Sequence, residues 1–379
     1  MTISSSPSIA FLYLHGIHHL YHSAMTAVEL SNMQNKYKIV LVSCSPEHTR
    51  LLKNIQSLYP IQNTIIKEIP LPFRFKYLNI KNKTYPSPSD TMPKIAPYLR
   101  SVDGVLATSH STVTSAKKYR ITNPKLIYQY HGCGDRKYGF EPNLGNYDLL
   151  LLPGAYHQQR LHDSGVLDKK NTAIVGWPKL DYPVDVTGLK QQLFPNDNPI
   201  ILYTPHWSPH LSSFEAWCRP LMDYFKANKE YNFLFAPHIQ LKHWKNKYNY
   251  DLNFDDYQME NIHIDLGSEA GVNSSYLRIA NIYMGDVSSQ VYEWIAIKPR
   301  PCIFTNAHGV QWEDDINYRH WRYGPVMNNI SELKGILQLL IEDKSYIDYQ
   351  KNHIPQYIDI SANKYSIRAA EAIYNFVSK

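Results

Sequence analysis

Residues 281–299 read NIYMGDVSSQVYEWIAIKP. The apolar run Ile282-Tyr283-Met284 breaks at Gly285-Asp286, and Ser288-Ser289 then open an amphipathic segment carrying Val291, Trp294 and Ile295. That order predicts a buried strand, a tight turn and the first turn of a helix. A helix start presents unpaired backbone N–H groups and the positive end of the macrodipole, so it suits phosphate groups. An ordinary capped helix reads the same way, because Asp and Ser are favoured N-caps in any setting. The other strand ends have to be weighed beside it.

Outward from this stretch the same alternation repeats. Apolar runs at residues 9–14, 37–43, 102–107, 124–130, 147–152 and 172–176 form a first series, with helical spacing over 20–33 and 46–59. Runs at 200–204, 232–236, 262–265, 282–284 and 301–305 form a second. Short apolar runs separated by helical patterns imply parallel sheets with crossover helices. Prolines and polar residues interrupt the pattern from 178 to 199. The expected fold is α/β: two doubly wound, Rossmann-like parallel-sheet domains facing a central cleft. Residues 1–178 form the first, 179–199 a linker, 200–361 the second, and 362–379 a helix packed across the junction.

A chain of 379 residues is long for one core, which favours two domains. Its hydrophobic content of 44% supports packed interiors. The net charge of +6, with histidines neutral, suits an anionic substrate or an anionic membrane surface. Nucleic acid is not an expected partner, since there is no Lys/Arg block, zinc-finger spacing or RNA-binding signature. Cys44, Cys133, Cys218 and Cys302 are too scattered for a metal site, and a reduced, cytoplasmic protein is expected. No signal peptide is recognisable, and no window nears the ~18 apolar residues of a membrane span. Peripheral association with the inner membrane stays open. Phe73, Arg74, Phe75, Lys76, Tyr77, Lys81 and Lys83, within residues 71–94, are basic and aromatic residues suited to an acceptor or a membrane surface, or to a solvated loop.

Ligands of open α/β sheets collect outside the carboxyl ends of the strands. Four such ends carry polar residues: Gln129-Tyr130-His131-Gly132, Thr204-Pro205-His206-Trp207, Ala236-Pro237-His238 and Gly285-Asp286-Val287-Ser288-Ser289. Any one of these histidines is an ordinary structural residue on its own; their shared placement is the signal. His15, His18, His19 and His22 cluster after the first run. His18 and His22 are i,i+4 neighbours, but there is no zinc-hydrolase glutamate and no completing carboxylate, so no metal is expected. Residues 308–322 are dense in charge and aromatics; Trp312, Trp321 and Arg322 there either close over a ligand or belong to a surface loop.

The order of these pieces resembles the CDP-glycerol glycerophosphotransferase family, the teichoic-acid primase and polymerase type with a GT-B fold. The carrying elements are His131-Gly132 with Lys137, Gly176-Trp177-Pro178-Lys179-Leu180-Asp181, Tyr203-Thr204-Pro205-His206-Trp207, Pro237-His238 and Asp286-Val287-Ser288-Ser289. The N-terminal histidine cluster looks like a compact Gram-negative branch of that family. Cys133-Gly134-Asp135 departs from its usual Thr-Pro-Leu, Glu293 stands where aspartate is common, and His206 and Ser208 are likewise atypical.

The resemblance implies an acceptor-side first domain and a nucleotide-donor-binding second. It implies transfer of glycerol phosphate from CDP-glycerol, or a related CDP-polyol, to a saccharide, polyol-phosphate or lipid-linked acceptor. CMP leaves, in cell-surface polymer synthesis such as teichoic-acid-like, capsule or O-antigen assembly, without a cofactor. His131 is the implied general base, titrating near the ordinary histidine value, and His238 the implied donor to the pyrophosphate. His206, Asp286, Ser288, Ser289 and Glu293 are the implied donor phosphate and nucleotide residues. Gly132, Lys137, His15 and His18 are the implied acceptor or cleft residues. Two readings compete: a GT-B glycosyltransferase or epimerase using a nucleotide sugar, and a non-catalytic nucleotide- or polymer-binding protein.

Overall fold

Among the described residues, thirteen strands form two parallel sheets. The computed structural model describes residues 7–33, 37–59, 61–70, 85–167, 171–241, 252–361 and 364–379. The basic-aromatic residues 73–83 and the expected helix start at 362–363 therefore lie outside the described residues.

The first sheet comprises β1 (Ser8–Tyr13), β2 (Lys38–Ser43), β3 (Thr64–Glu68), β4 (Gly104–Ala107), β5 (Lys125–Gln129), β6 (Leu149–Leu152) and β7 (Asn171–Ile174), in the order β3-β2-β1-β4-β5-β6-β7. The second comprises β8 (Ile200–Thr204), β9 (Asn232–Phe235), β10 (Ile262–Ile264), β11 (Ile282–Gly285), β12 (Cys302–Thr305) and β13 (Val326–Met327), in the order β10-β9-β8-β11-β12-β13. Both orders double back beside their first strand, as in doubly wound sheets. Central strands such as β4, β6, β8 and β11 are buried along their whole length, so they read as continuous apolar runs. β3, TIIKE, is half-exposed, and β13 is two residues long. Neither shows an apolar run, and both went unanticipated.

Each unit has its own core. In the first, Ala10, Leu12, Val40, Val42 and Val105 of the sheet pack with Met92, Ile95 and Leu99 of the helix Pro88–Leu99. In the second, Tyr203, Phe233, Phe235 and Met284 meet Phe214, Leu221 and Phe225 of the helix Phe214–Ala227.

The units are not contiguous in sequence. Unit one is 1–131, 140–182 and 356–379; unit two is 132–139 and 183–355. This differs from the division expected above at two places. Residues 132–139 leave the first sheet because their buried bonds are made to the second unit. The C-terminal helix, Tyr365–Val377, packs on the helix His18–Asn32, the turn Pro178–Asp181 and β6. Asp181 Oδ2 accepts from Ser366 N and Oγ, both at 2.6 Å, and Arg368 pairs with Asp359 at 2.9 Å while donating to the Ile174 carbonyl. The expected linker thus begins as part of unit one. Gly176 has φ +76°, and a Cβ there would overlap the Tyr365 ring and approach the Asp359 carbonyl to 2.8 Å.

Candidate functional site

In unit two, β8 and β11 are neighbours with Gly285 opposite Thr204. The sheet reverses order about this pair, so their carboxyl ends open at its switch point. Two turns leave there together, and Asp286 joins them. Its carboxylate is 2% exposed and accepts from His206 N at 2.9 and 3.1 Å, Ser213 N at 2.8 Å, Ser213 Oγ at 3.0 Å and Val287 N at 2.8 Å. Burial pushes its pKa up to about 6, with the bonds from Ser213, His206 and Val287 opposing the rise. Asp286 was expected to bind donor phosphate. Its oxygens instead hold the turns in place, as an anion enclosed by donors must.

The helix Gln290–Ile297 follows with Ser289 at its N-cap. Ser288 Oγ accepts from Gln290 N at 3.3 Å, capping the helix. Both serines are partly exposed. Glu293, expected at a ribose, is 3% exposed and accepts from Ser274 Oγ at 3.2 Å. The helix is buried at every position from Val291 to Ile295, which removes Glu293 from the accessible surface.

Segment 132–139 lies over that helix end. A Cβ on Gly132 would stand 3.2 Å from Ser289 Oγ, and one on Gly134 would stand 3.4 Å from Ser289 Cβ. The two glycines allow backbone to rest on the cap residue. Asp135 is fully buried and anchors the segment: its Oδ2 accepts from Tyr292 Oη at 2.6 Å, His320 N at 3.0 Å and His320 Nδ1 at 3.2 Å. Anchoring aims Arg136 inward, with Nη1 at 2.6 Å from His206 Nε2. Lys137, expected among the acceptor or cleft residues, is exposed and uses its backbone N to donate to Asn317 Oδ1 at 3.0 Å. The inward cation is Arg136, one residue earlier. Nothing local in the sequence distinguished the two.

His206 is 6% exposed, and its Nδ1 accepts from Ser208 N at 3.0 Å. His238 is partly buried; its ring lies 6.2 Å from that of His206 and 6.3 Å from Trp207. Its Nδ1 accepts from Gln240 N at 3.2 Å, which leaves the hydrogen of a neutral ring on Nε2. Within 308–322, Trp321 is buried and donates to the Asp286 carbonyl at 3.1 Å, and Trp312 packs 6.0 Å from it. Arg322 donates to the Glu313 carbonyl at an exposed position.

In unit one the corresponding reversal falls between β1 and β4. His15 and His18 follow β1, Thr108 follows β4 and His131 follows β5. His131 Nδ1 bonds the Thr108 carbonyl. A carbonyl only accepts, so Nδ1 carries the hydrogen and Nε2 keeps its lone pair. His19 lies alongside, 4.2 Å between ring centroids, with its Nδ1 at 3.0 Å from Thr108 Oγ1. Burial, then the nearby His15 and His110, pulls His131 down to about 4, despite the Thr108 bond. This corrects the expected ordinary value. His15 is also lowered to about 4, by burial and by His110, and burial holds His19 and His22 well below the ordinary value. His18 rings against His19 at 4.5 Å. Among the described residues no group of three or more His, Cys, Asp or Glu is placed to hold a metal.

Residues 30–379 match the family described as CDP-Glycerol:Poly(glycerophosphate) glycerophosphotransferase. The chain belongs to this family. It is therefore a transferase of the glycerophosphotransferase type. Among solved structures, the wall teichoic acid polymerase TagF with CDPG is 14% identical, with TM-score 0.62 over 98% of this chain and 88% of that one. A putative UDP-N-acetylglucosamine 2-epimerase from Listeria monocytogenes is 13% identical, with TM-score 0.63 over 98% and 97% of the two chains. The UDP-GlcNAc 2-epimerase of Neisseria meningitidis, bound to UDP-GlcNAc, is 13% identical, with TM-score 0.62 over 98% and 99%. At these identities the likeness is one of fold, shared by glycerophosphotransferases and epimerases alike. A search of curated proteins gave no match.

Proposed function

We propose that this glycerophosphotransferase moves glycerol phosphate from CDP-glycerol, or a closely related CDP-polyol, to a hydroxyl of a saccharide or polyol-phosphate acceptor. The acceptor oxygen attacks the phosphorus bearing glycerol, and its proton passes to His131 Nε2. The bond from that phosphorus to the bridging oxygen breaks, and CMP leaves with the electron pair. The observation that carries this reading is the state of His131: a neutral ring whose Nδ1–H is fixed by Thr108, with Nε2 available to take a proton. In unit two, His238 Nε2–H and the Ser289 hydroxyl at the start of the helix Gln290–Ile297 supply donors for the pyrophosphate. His15 and His18 flank the acceptor side. The reaction serves cell-surface polymer synthesis.

The test is CMP release from CDP-glycerol over a panel of saccharide and polyol-phosphate acceptors. His131→Ala is expected to lose at least about 1,000-fold in kcat with its melting temperature within a few degrees of the wild type. Turnover of UDP-GlcNAc with none of CDP-glycerol would replace this reading with the epimerase-type one.

A further inference from the structure

His131 is held through a carbonyl of the turn that follows β4. Its Nδ1 donates to the carbonyl of Thr108, the first residue of that turn. The next two carbonyls are held elsewhere: Ser109 O accepts from Tyr147 Oη at 2.8 Å and His110 O from Asn143 Nδ2 at 3.2 Å. Thr108 is tied by its side chain. Its Oγ1, on a residue 2% exposed, lies 3.0 Å from Nδ1 of His19, in the first turn of the helix His18–Asn32. His19 precedes residue 30, where the family match begins.

The same imidazole covers the base. The His19 and His131 rings are 4.2 Å apart and tilted by 34°, so His19 lies over one face of His131; the His22 ring stands steeply to it at 6.2 Å. A half turn of His131 about Cβ–Cγ would set Cδ2, in place of Nδ1–H, against the Thr108 carbonyl. His19 is backed by His15 at 5.0 Å and His18 at 4.5 Å. Its N–H donates to the Gly16 carbonyl at 3.0 Å, and Gln129, two residues before the base, donates its side-chain amide to the His22 carbonyl. Burial and then His131, His18, His15 and His22 hold His19 well below the ordinary histidine value, so a proton arriving on His131 meets a neutral ring. Of the charges further out, Lys179 acts on His22, and Glu141 pairs with His110, which acts on His131.

We propose that His19 is a positioning residue for the general base: through the Thr108 hydroxyl and through ring contact, it holds His131 with Nδ1–H on the Thr108 carbonyl and Nε2 without hydrogen. What the base does is taken from the transferase reading; its placement rests on the geometry of unit one alone. A histidine base works only in the tautomer that leaves a lone pair for the acceptor proton, and the bond at its other nitrogen selects that tautomer. Released from Thr108, His131 populates the form with hydrogen on Nε2, which has no lone pair there. His19 acts through His131 and not on the donor, so its loss shows in kcat and leaves KM for CDP-glycerol alone.

Two measurements on the full chain test this. One is nitrogen NMR of ring-labelled histidines, with the His131 signals assigned by their loss in His131→Ala. The other is CMP release from CDP-glycerol with a polyol-phosphate acceptor. His19→Phe keeps a ring on the face of His131 and removes the partner of Thr108 Oγ1. Thr108→Val removes the hydroxyl from the other side and keeps the carbonyl. Each is expected to shift His131 toward the Nε2–H tautomer and to lower kcat at least about tenfold, with KM for CDP-glycerol unchanged. Thr108→Ser, which keeps the hydroxyl, is expected to restore both. The double variant is expected to lose no more than either single one, since the two act through one bond. Thr108→Val, close in shape to the residue it replaces, carries the test if His19→Phe does not fold. An unchanged tautomer in the folded variants overturns the proposal even where kcat falls, because that fall marks a general loss of packing. A shifted tautomer with wild-type kcat overturns it too. The two readings fail separately. If the wild type releases no CMP while the variants shift the tautomer, the placement of His131 by His19 stands and the transferase reading falls. If the wild type turns over and the tautomer stays put, the proposal falls by itself.

Discussion

His131 is held neutral at the cost of basicity. Its Nε2 lone pair is present at every pH well above 4, because burial and the neighbouring histidines depress its titration. The acid limb of kcat/KM assigned to His131 is therefore expected with a midpoint near 4 to 5, well below the roughly 6.5 of an ordinary histidine. A pH–rate profile with CDP-glycerol checks this, and a limb at 6.5 that vanishes in no other variant would contradict it. Asp286 tests the other half of the molecule. Asp286→Ala leaves the N–H groups of His206 and Ser213 buried without their acceptor, so unfolding in urea is expected to lose about 3 kcal/mol. A loss under 1 kcal/mol would mean that the turns hold themselves.

At the level of elements, the strand–turn–helix over 282–297 was legible because each of its signals is local: an apolar run, Gly-Asp, two serines and an amphipathic repeat. What those residues touch was not. Asp286 has the composition of a phosphate-site residue, but its partners at 206 and 213 arrive through β-sheet neighbours some 70–80 residues away in the chain. Asp135 is paired with His320 across an even larger separation, so nothing near it in the chain shows which way Arg136 and Lys137 point. Gly176 shows the same limit. Its left-handed backbone and its approach to Tyr365 depend on a helix from the far end of the chain. Gly176→Ala is expected to destabilise the protein by about 2 kcal/mol or more, read from thermal or urea unfolding. A neutral result would mean that the helix Tyr365–Val377 shifts freely.

For the whole chain, two parallel doubly wound sheets could be anticipated because buried central strands write themselves as apolar runs. β3 and β13 could not, since an edge strand is half polar and a two-residue strand has no pattern. The unit boundaries were legible only in part, because membership of 132–139 and 356–379 is decided by tertiary bonds. Unit one also carries a pH liability. His15, His48 and His131 have folded pKa values of about 4, 3 and 4. A depressed folded value means that the unfolded chain takes up protons first as pH falls through 6.5. Their contribution to stability is full above that pH and is lost on the way down to about 4. Each is worth about 3–5 kcal/mol over the full window. Asp286, raised to about 6, runs the opposite way: it favours the folded state below its ordinary value, and that contribution fades as pH rises through 6. Three histidines outweigh one aspartate, so the melting temperature is expected to drop steeply between pH 6.5 and 4.5. A flat profile over that range would show that these imidazoles are solvated.

The most direct measurement is CMP release from CDP-glycerol by the purified wild type and by His131→Ala, each with a polyol-phosphate acceptor. The account predicts acceptor-dependent CMP from the wild type and at least about 1,000-fold less from the folded variant. Equal release from both proteins would contradict it.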